Sequence, residues 1–279
     1  MPNTNTIFTI ARLTLRETQR RKVLWMGLVM GIGFLIVYGL GFHFVYADLA
    51  AHTAPDQRAF PLTIISSMGM YATNFLVIVV SLLISVATIS GDIESHVIDC
   101  LVTKPIHRWE IVLGKWLGYA ILIFCFILLL PGGVMLIVYL RSGFHLENIV
   151  PGLFLMFLEG MVSLAVALFG GTRLSTLANA AMAFMLYGVA FVGGWIEQIG
   201  AIFRNETAVD IGIFVSLLNP ADSLWRKAID LFQPSLGVVE NFGPFGVFSQ
   251  PNNVMIIYAV VYAAVFLFLA LRSFSRRDL

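Results

Sequence analysis

The sequence predicts an all-α membrane protein with six transmembrane helices. Hydrophobic residues make up 59% of the 279 positions and charged residues only 12%, whereas a soluble domain carries about 25% charged residues. Six stretches are long and apolar enough to cross a bilayer, which takes about 20 residues. Lysine and arginine are also distributed unevenly between the connections. Together these observations exclude a water-soluble globule and favour a helical bundle.

Six apolar stretches are the predicted spans. They are Val23–Tyr46, Leu62–Ile89, Ile111–Leu140, Ile149–Gly170, Leu177–Phe203 and Val254–Phe274. The second and third exceed the required length, so we expect them to tilt or to project beyond the bilayer. The chain length favours a single bundle, and residues 1–279 are taken as one transmembrane domain.

The distribution of basic residues predicts the orientation. If both termini face the cytoplasm, twelve of the 17 lysines and arginines lie inside and five outside. Cytoplasmic connections normally carry this excess. We therefore predict a multi-pass protein of the plasma (inner) membrane with both termini in the cytoplasm. The net charge of +1 gives no reason to expect nucleic acid as a partner.

Residues 1–22 predict an amphipathic helix in the inner membrane interface, in contact with lipid. Its less polar positions recur at helical spacing and its arginines point elsewhere, toward headgroups. The alternative is a plain positively charged anchor. The positions expected to share one side are Ile7, Ile10, Ala11, Leu13, Thr14 and Thr18.

Residues 204–253 form the long outer connection, which contains one predicted amphipathic helix. Asn219 is a candidate N-cap, and Pro220 suits the first helical position. The helix should lie on the outer membrane surface or tuck back between spans. Its apolar stripe comprises Leu224, Trp225, Ala228, Ile229 and Phe232, opposite Arg226, Lys227 and Asp230.

A polar loop over residues 91–110 separates the second and third predicted spans, and it ends in a lysine-containing segment. A phosphate-binding loop of the G-x-x-x-x-G-K-[ST] type needs a first glycine and a final hydroxyl. Here Trp109 stands in place of the first glycine and Trp116 follows Lys115. The loop therefore does not bind nucleotide, and we expect no ATPase or other enzyme activity in this chain.

The same loop resembles that of ABC-2 type transporter permeases. The matching positions between Ile89 and Leu122 are Glu94, the Leu101 region, Lys104–Pro105, Arg108, Ile111 and Gly114–Lys115. The segment "ARLTLRETQRRKVLW" resembles the family's N-terminal elbow helix, and "LFLALRSFSRRDL" resembles its basic ending. "LNPADSLWRKAIDL" is similar to the outer segment in permeases of nitrous-oxide-reductase maturation transporters.

This resemblance implies a permease subunit, with export as its direction. A separate cytoplasmic ABC ATPase would bind ATP and magnesium, and this chain would hold no cofactor. A second permease subunit would complete the pathway, as a homodimer in preference to a heterodimer. The elbow helix would cover residues 1–22.

The loop between the second and third spans would then be a coupling helix that docks in the ATPase. Its acidic residues would pair with the partner, its apolar residues would fill a groove, and Pro105 would end the helix. Arg108 and Lys115 would meet lipid phosphates or return to the acidic residues. The alternative is a solvated turn whose charges only fix topology. The coupling set is Asp92, Glu94, Val97, Ile98, Leu101, Lys104, Pro105, Arg108, Gly114 and Lys115.

Glu159 is the ionisable residue expected at mid-span, where charge is costly and usually functional. It could line a substrate pathway or pair with another polar group to hold helices together. Asn74, Ser81 and Ser85 share one side of the second span, with the same two alternatives. A secondary transporter or channel is the rival class, and it would need more such residues. We expect no metal site, because Asp92, His96 and Cys100 have suitable spacing but lack a fourth ligand.

Overall fold

A computed structural model describes residues 4–86, 88–94, 107–232 and 249–276. Within these ranges all regular structure is helical, and no strand occurs. The helices are α1 (Thr4–Arg20), α2 (Lys22–His52), α3 (Ala59–Val86), α4 (Ser90–Glu94), α5 (Arg108–Ser142), α6 (Ile149–Gly171), α7 (Thr176–Ile202), α8 (Glu206–Leu218), α9 (Ala221–Phe232) and α10 (Asn253–Ser275). A short 3-10 turn, Pro55–Gln57, precedes α3.

Six of these helices are long and apolar enough to cross a membrane, which confirms the predicted number of spans. They are α2, α3, α5, α6, α7 and α10. Helices suit such apolar stretches because every backbone polar group must be satisfied internally in lipid. α2 and α5, with 31 and 35 residues, exceed the length that a 30 Å hydrocarbon core requires. The chain is therefore a multi-pass membrane protein.

The bundle has two ends, which we name by the elements they carry. The terminal end carries α1, α4, the start of α5 and the end of α10, where Thr172 donates a hydrogen bond to Ser273 at 2.9 Å. The distal end carries the α2–α3 and α5–α6 connections. Asn148 of the latter bonds the carbonyl of Leu231 at 3.2 Å, so the end of α9 also lies at the distal end.

Helix α6 lies at the centre of the bundle. It packs against α3, α5, α7, α9 and α10. Its side chains Met156, Val162 and Leu164 are fully buried. α2 and α10, in contrast, expose most of their large apolar side chains, as helices facing lipid do. Glu159 on α6 therefore lies where only other helices can contact it.

Helix α1 packs directly on α5 through two glycines one turn apart. A side chain on Gly114 would put its Cβ 2.6 Å from the Cβ of Ile10, and one on Gly118 would meet Thr14 at 3.0 Å. Small residues at this spacing let two helix backbones approach closely. The buried face of α1 comprises Ile10, Ala11, Thr14 and Thr18. Leu13, which the periodicity placed on this face, is instead 50% exposed, and that detail of the prediction was wrong.

Replacing Gly114 with leucine should displace α1 from α5. The added side chain must overlap Ile10 and the carbonyl of Ile7, and overpacking of this kind costs about 1–3 kcal/mol. In a background without Cys100 and Cys125, a cysteine at buried position 14 should react with a thiol reagent at least about fivefold faster in the variant. Gly41→Leu is the matched control, since nothing lies within 4 Å of a side chain there. Equal labelling in both variants would contradict the close contact.

Helices α7, α8 and α9 form a folded-back unit at the distal end. α8 returns along α7, so Gly212 lies against Glu197 and Gly200 against Ala208. Asn205 caps α8 by accepting a hydrogen bond from the Ala208 amide at 3.2 Å. With 13 residues, α8 is about 20 Å long and too short to cross a bilayer. The sequence pattern predicts only one helix in residues 204–253, which is α9, and does not predict α8.

Helix α9 follows α8 and is buried on nearly every side. Asn219 accepts a hydrogen bond from the Ala221 amide at 3.2 Å, as expected of a cap. The predicted apolar stripe is buried, with Trp225 packed edge-on against Tyr71 of α3 at a centroid distance of 4.8 Å. Of the two alternatives for this helix, packing against the spans is the one observed. We call α8 and α9 together the distal hairpin.

Candidate functional site

A buried ion-pair group lies at the terminal end, and we call its members, Arg21, Asp92 and Lys115, the Asp92 triad. Lys115 on α5 forms a salt bridge with Asp92 on α4, and both residues are 3% exposed. The ammonium group also donates to the carbonyl of Thr88 at 3.1 Å. Arg21, between α1 and α2, lies 3.6 Å from the second oxygen of Asp92. The triad therefore joins three elements that are far apart in sequence.

Arg21 links the triad to α1. Its guanidinium forms an ion pair with Glu17, one turn back on that helix, as well as approaching Asp92. Burial by itself would lower the pKa of Arg21, but the two carboxylates outweigh burial and raise it. Arg21 thus stays charged, and α1 is joined both to α5 by packing and to α4 by charge.

The junction between α3 and α4 is braced by side chains from α7. Asn179 donates hydrogen bonds to the carbonyls of Val86 at 3.0 Å and of Ala167 at 2.9 Å. Thr176 donates to the hydroxyl of Ser90 at 3.1 Å. The carbonyl of Val86, which the end of α3 leaves without an intrahelical partner, is thereby satisfied. The position of α4, and with it Asp92, is fixed relative to α3, α6 and α7.

Several predicted coupling residues can now be placed. Lys115 returns to an acidic residue, which is one of the two alternatives that the sequence left open. Asp92 is buried in that pair, and this burial does not favour the predicted contact with basic residues of a partner protein. Gly114 contacts α1, and Arg108 is the half-buried first residue of α5. Glu94 ends α4.

The remaining predicted coupling residues lie outside the described part of the chain. They are Val97, Ile98, Leu101, Lys104 and Pro105. His96 and Cys100, considered with Asp92 as metal ligands, lie there as well. The described structure therefore shows the two flanks of the predicted coupling helix, which are α4 and the start of α5.

Glu159 lies in the centre of the bundle and is completely buried. Asn74 of α3 donates to its Oε1 at 3.3 Å, and the Tyr187 hydroxyl of α7 donates to the same oxygen at 3.4 Å. The second carboxyl oxygen has no hydrogen-bond partner among the described residues, and neither has Oδ1 of Asn74. The group joins α3, α6 and α7, as polar residues between membrane helices do.

Ser81 and Ser85 lie on the same buried side of α3 as Asn74 but take no part in this group. Ser85 donates to the carbonyl of Ser81 at 2.5 Å, within its own helix. Both side chains are at most 4% exposed. Of the predicted pathway residues, only Asn74 and Glu159 are brought together by the structure.

A second buried polar group holds the distal hairpin to α7. Arg226 of α9 binds both oxygens of Glu197 at 2.8 Å and Asp222 at 2.9 Å. Ser249 donates to Glu197 at 2.6 Å, and Arg226 also donates to Ser216 of α8 at 3.3 Å. We call this the hairpin cluster, with members Glu197, Ser216, Asp222, Arg226 and Ser249.

The hairpin cluster is not predicted by the sequence patterns. The helical pattern puts Arg226 opposite the apolar stripe of α9, where a polar side chain faces water, yet Arg226 is 4% exposed. Glu159 was expected to be the one ionisable residue within a span, whereas Glu197 also lies in a spanning helix, α7, and is 4% exposed. The available signal was the spacing of Asp222 and Arg226, four residues apart in a helix.

The hairpin cluster should make stability depend on pH through Asp222. Burial raises the pKa of Asp222 from 3.8 to about 6, although Arg226 opposes the rise and Glu197 adds to it. Between these values the folded protein binds a proton that the unfolded chain does not bind, so stability falls as pH rises through this window. We expect the melting temperature to fall by roughly a few degrees between about pH 4 and pH 6.5.

Asp222→Asn should remove this part of the pH dependence, because an amide does not titrate. The measurement is the melting temperature of the protein in neutral detergent at several pH values. Asp230→Asn is the control, since Asp230 lies on the same helix but is partly exposed beside Lys227. An unchanged pH slope in Asp222→Asn, relative to the wild-type protein, would refute the assignment.

A comparison with known protein families now identifies the chain. The family model described as ABC-2 family transporter protein matches residues 8–279, which is nearly the whole sequence. The chain belongs to the ABC-2 transporter family. A comparison with curated proteins finds no match. The permease is thus the membrane subunit of an ABC transporter, and its family implies a partnership with an ABC ATPase in general.

Family membership accounts for the six spans and confirms the expected class. The match begins within α1 and continues through α10, so the elements around the Asp92 triad and the distal hairpin all belong to the family region. The family match does not extend to the nitrous-oxide-reductase maturation type, which the sequence of α9 resembles.

Proposed function

We propose that the permease is an exporter subunit of the plasma membrane, driven by a separate cytoplasmic ATPase that binds ATP and magnesium. Two copies of the permease would enclose the pathway, and both termini would face the cytoplasm. The ATPase would dock on the coupling loop at residues 91–110, between the second and third spans. The single observation that carries this proposal is the Asp92 triad, which ties both flanks of that loop to α1.

The coupling loop would have to transmit force from the ATPase to the spanning helices. An ABC ATPase moves as a rigid body, and a helix wedged in its groove moves with it. Such motion reaches the membrane only if the loop is firmly joined to the spans on either side. Asp92 and Lys115 provide this joint between α4 and α5, and the hydrogen bond from Thr176 to Ser90 braces α4 against α7. The elbow helix α1 follows through Arg21 and through its contact with Gly114.

The deciding experiment is co-purification of the permease with its ATPase. The gene for that ATPase is sought first in the neighbouring reading frame. Glu94→Lys should abolish co-purification and ATP-driven transport, because it reverses the charge at the end of α4. Glu147→Lys is the matched control, an equal charge reversal in the α5–α6 connection at the distal end. Stable assembly and full ATP-coupled transport with Glu94→Lys would defeat the coupling proposal.

The substrate pathway is proposed to pass the polar group around Glu159. Glu159→Gln should lower transport severalfold while leaving folding and ATPase assembly intact, because the amide preserves the size and the acceptor oxygen that Asn74 and Tyr187 use. Transport by the permease with its ATPase in vesicles measures this. Thr63→Val is the control, since that hydroxyl bonds within its own helix at the distal start of α3. Unchanged transport in Glu159→Gln would remove Glu159 from the pathway.

A secondary transporter is the second candidate, and the hairpin cluster is the observation in its favour. Buried charge pairs involving spanning helices occur in such transporters, and Glu197 of α7 forms one with Arg226. Family membership favours the ATP-driven class instead. Transport by the permease without any ATPase, driven only by an ion gradient, would establish the second candidate.

The type of permease is proposed from one segment. Leu218–Leu231, "LNPADSLWRKAIDL", is similar to the corresponding segment of permeases that serve nitrous-oxide-reductase maturation. In this structure the segment forms α9 and supplies Asp222 and Arg226 to the hairpin cluster. The likeness therefore lies in residues that fix the distal hairpin.

A further inference from the structure

A cavity of about 650 Å³ opens between α1, α4 and α5 at the terminal end. Its lining combines an apolar floor with charged walls. Ile10 and Leu13 of α1 contribute apolar surface, while Arg16 and Arg20 extend from the same helix. A lining of this kind suits an amphipathic ligand with an anionic group.

The charge balance of the cavity favours an anion. Its two carboxylates, Glu17 and Asp92, are already engaged by Arg21 and Lys115 in ion pairs. Arg16 and Arg20 form no side-chain hydrogen bond or ion pair within the described residues. They stand one turn apart on α1 and so present two guanidinium groups on one face. Guanidinium groups bind phosphate oxygens in a forked geometry.

The position of the cavity favours a lipid as the source of the phosphate. Trp25, just after α1, is 59% exposed and donates its ring N–H to the carbonyl of Gln19 at 2.9 Å. Tryptophan in this setting marks the headgroup level of a membrane. The exposed apolar side chains Phe8 and Leu13 lie along α1 beside the arginines. A phosphate here would thus have acyl chains in reach of apolar surface.

We propose that this cavity binds the headgroup of one anionic phospholipid, with Arg16 and Arg20 as the phosphate ligands. The proposal rests on the proposed function, in which α1 is the elbow helix, and on the interfacial position that the sequence predicts for that helix. The bound headgroup adds a negative charge beside Arg21 and the elements that the Asp92 triad joins. The lipid would therefore lie beside the contact between α1 and α4, next to the proposed coupling loop.

The test uses the full chain in neutral detergent, without any ATPase, titrated with phosphatidylglycerol or with phosphatidylcholine. Native mass spectrometry should detect one tightly retained phosphatidylglycerol and no comparable phosphatidylcholine. Each basic residue near anionic lipid contributes about fivefold in affinity. Arg16→Gln with Arg20→Gln should therefore weaken phosphatidylglycerol binding by about 30-fold.

The matched control is Arg12→Gln with Lys22→Gln, which removes the same charge from exposed positions outside the cavity lining. This control should retain the bound phosphatidylglycerol. An equal loss in both double variants would mean general attraction to basic surface and would overturn the site. Inorganic phosphate that raised the melting temperature as much as phosphatidylglycerol would overturn the lipid as the occupant.

Failure of the lipid proposal can be distinguished from failure of the coupling proposal. Lipid retention is measured without the ATPase, and the co-purification experiment alters Glu94 and leaves the cavity arginines intact. The melting temperature of the cavity variants without added lipid verifies their folding, since both arginines are exposed.

Discussion

Replacing Lys115 with methionine is expected to lower the free energy of unfolding by about 3–5 kcal/mol, because Asp92 would remain buried without its main partner. Methionine keeps the length and the apolar stem of lysine but cannot donate to Asp92 or to the Thr88 carbonyl. Arg21, 3.6 Å away, offsets only part of the loss. Transport should fall as well, because α4 is no longer joined to α5.

The measurement is thermal or denaturant-induced unfolding of the purified permease in detergent. Lys22→Met is the control, because this substitution removes the same charge from an exposed position at the same end of the bundle. The double variant Asp92→Asn with Lys115→Met should recover much of the stability, because neither residue then carries a charge. A single variant as stable as the control would show that the triad is not what holds α4.

The second large effect is expected at the distal end, from Arg226→Met. Arg226 is the cation between two buried carboxylates, Glu197 and Asp222. Without it, both acids lose their charged partner and their strongest hydrogen bonds, which again costs about 3–5 kcal/mol. The distal hairpin should detach from α7, while the six spanning helices keep their packing against one another.

Lys227→Met provides the control on the next residue of the same helix. Lys227 forms a partly exposed ion pair with Asp230 at 3.3 Å, and such pairs contribute about 1 kcal/mol or less. Cysteine accessibility in α8 and the melting temperature together report the result. Combining Arg226→Met with Glu197→Gln and Asp222→Asn should restore part of the stability. Equal stability of Arg226→Met and Lys227→Met would rule out this role for the hairpin cluster.

Much of the fold was predictable from the sequence because the length of an apolar stretch is a local property. The six spans follow from stretches such as Ile149–Gly170, which became α6 with boundaries within one residue. The cap at Asn219 and the helix after it follow from local chemistry in the same way. Helix α8 was not predicted, because its 13 residues are too few to span a bilayer and were taken as part of the outer connection.

The candidate sites were predictable only in part. For Lys115 two partners were possible, a lipid phosphate or an acidic residue, and nothing local could decide between them. Asp92 lies 23 residues away from Lys115, so their pairing depends on how α4 and α5 fold together. For Arg226 the helical pattern predicted the wrong surroundings. Periodicity says which residues share a side of α9, but not that neighbouring helices cover its other sides.

The sequence by itself determined the class of the molecule: an apolar, six-span helical protein without a nucleotide-binding loop, whose coupling-like segment resembles the ABC-2 family. The tertiary structure alone decided which buried polar groups meet. It paired Asp92 with Lys115, Glu197 with Arg226, and Glu159 with Asn74. The reason is physical: hydrophobicity acts residue by residue along the chain, whereas a buried charge is stable only beside a partner that folding brings to it.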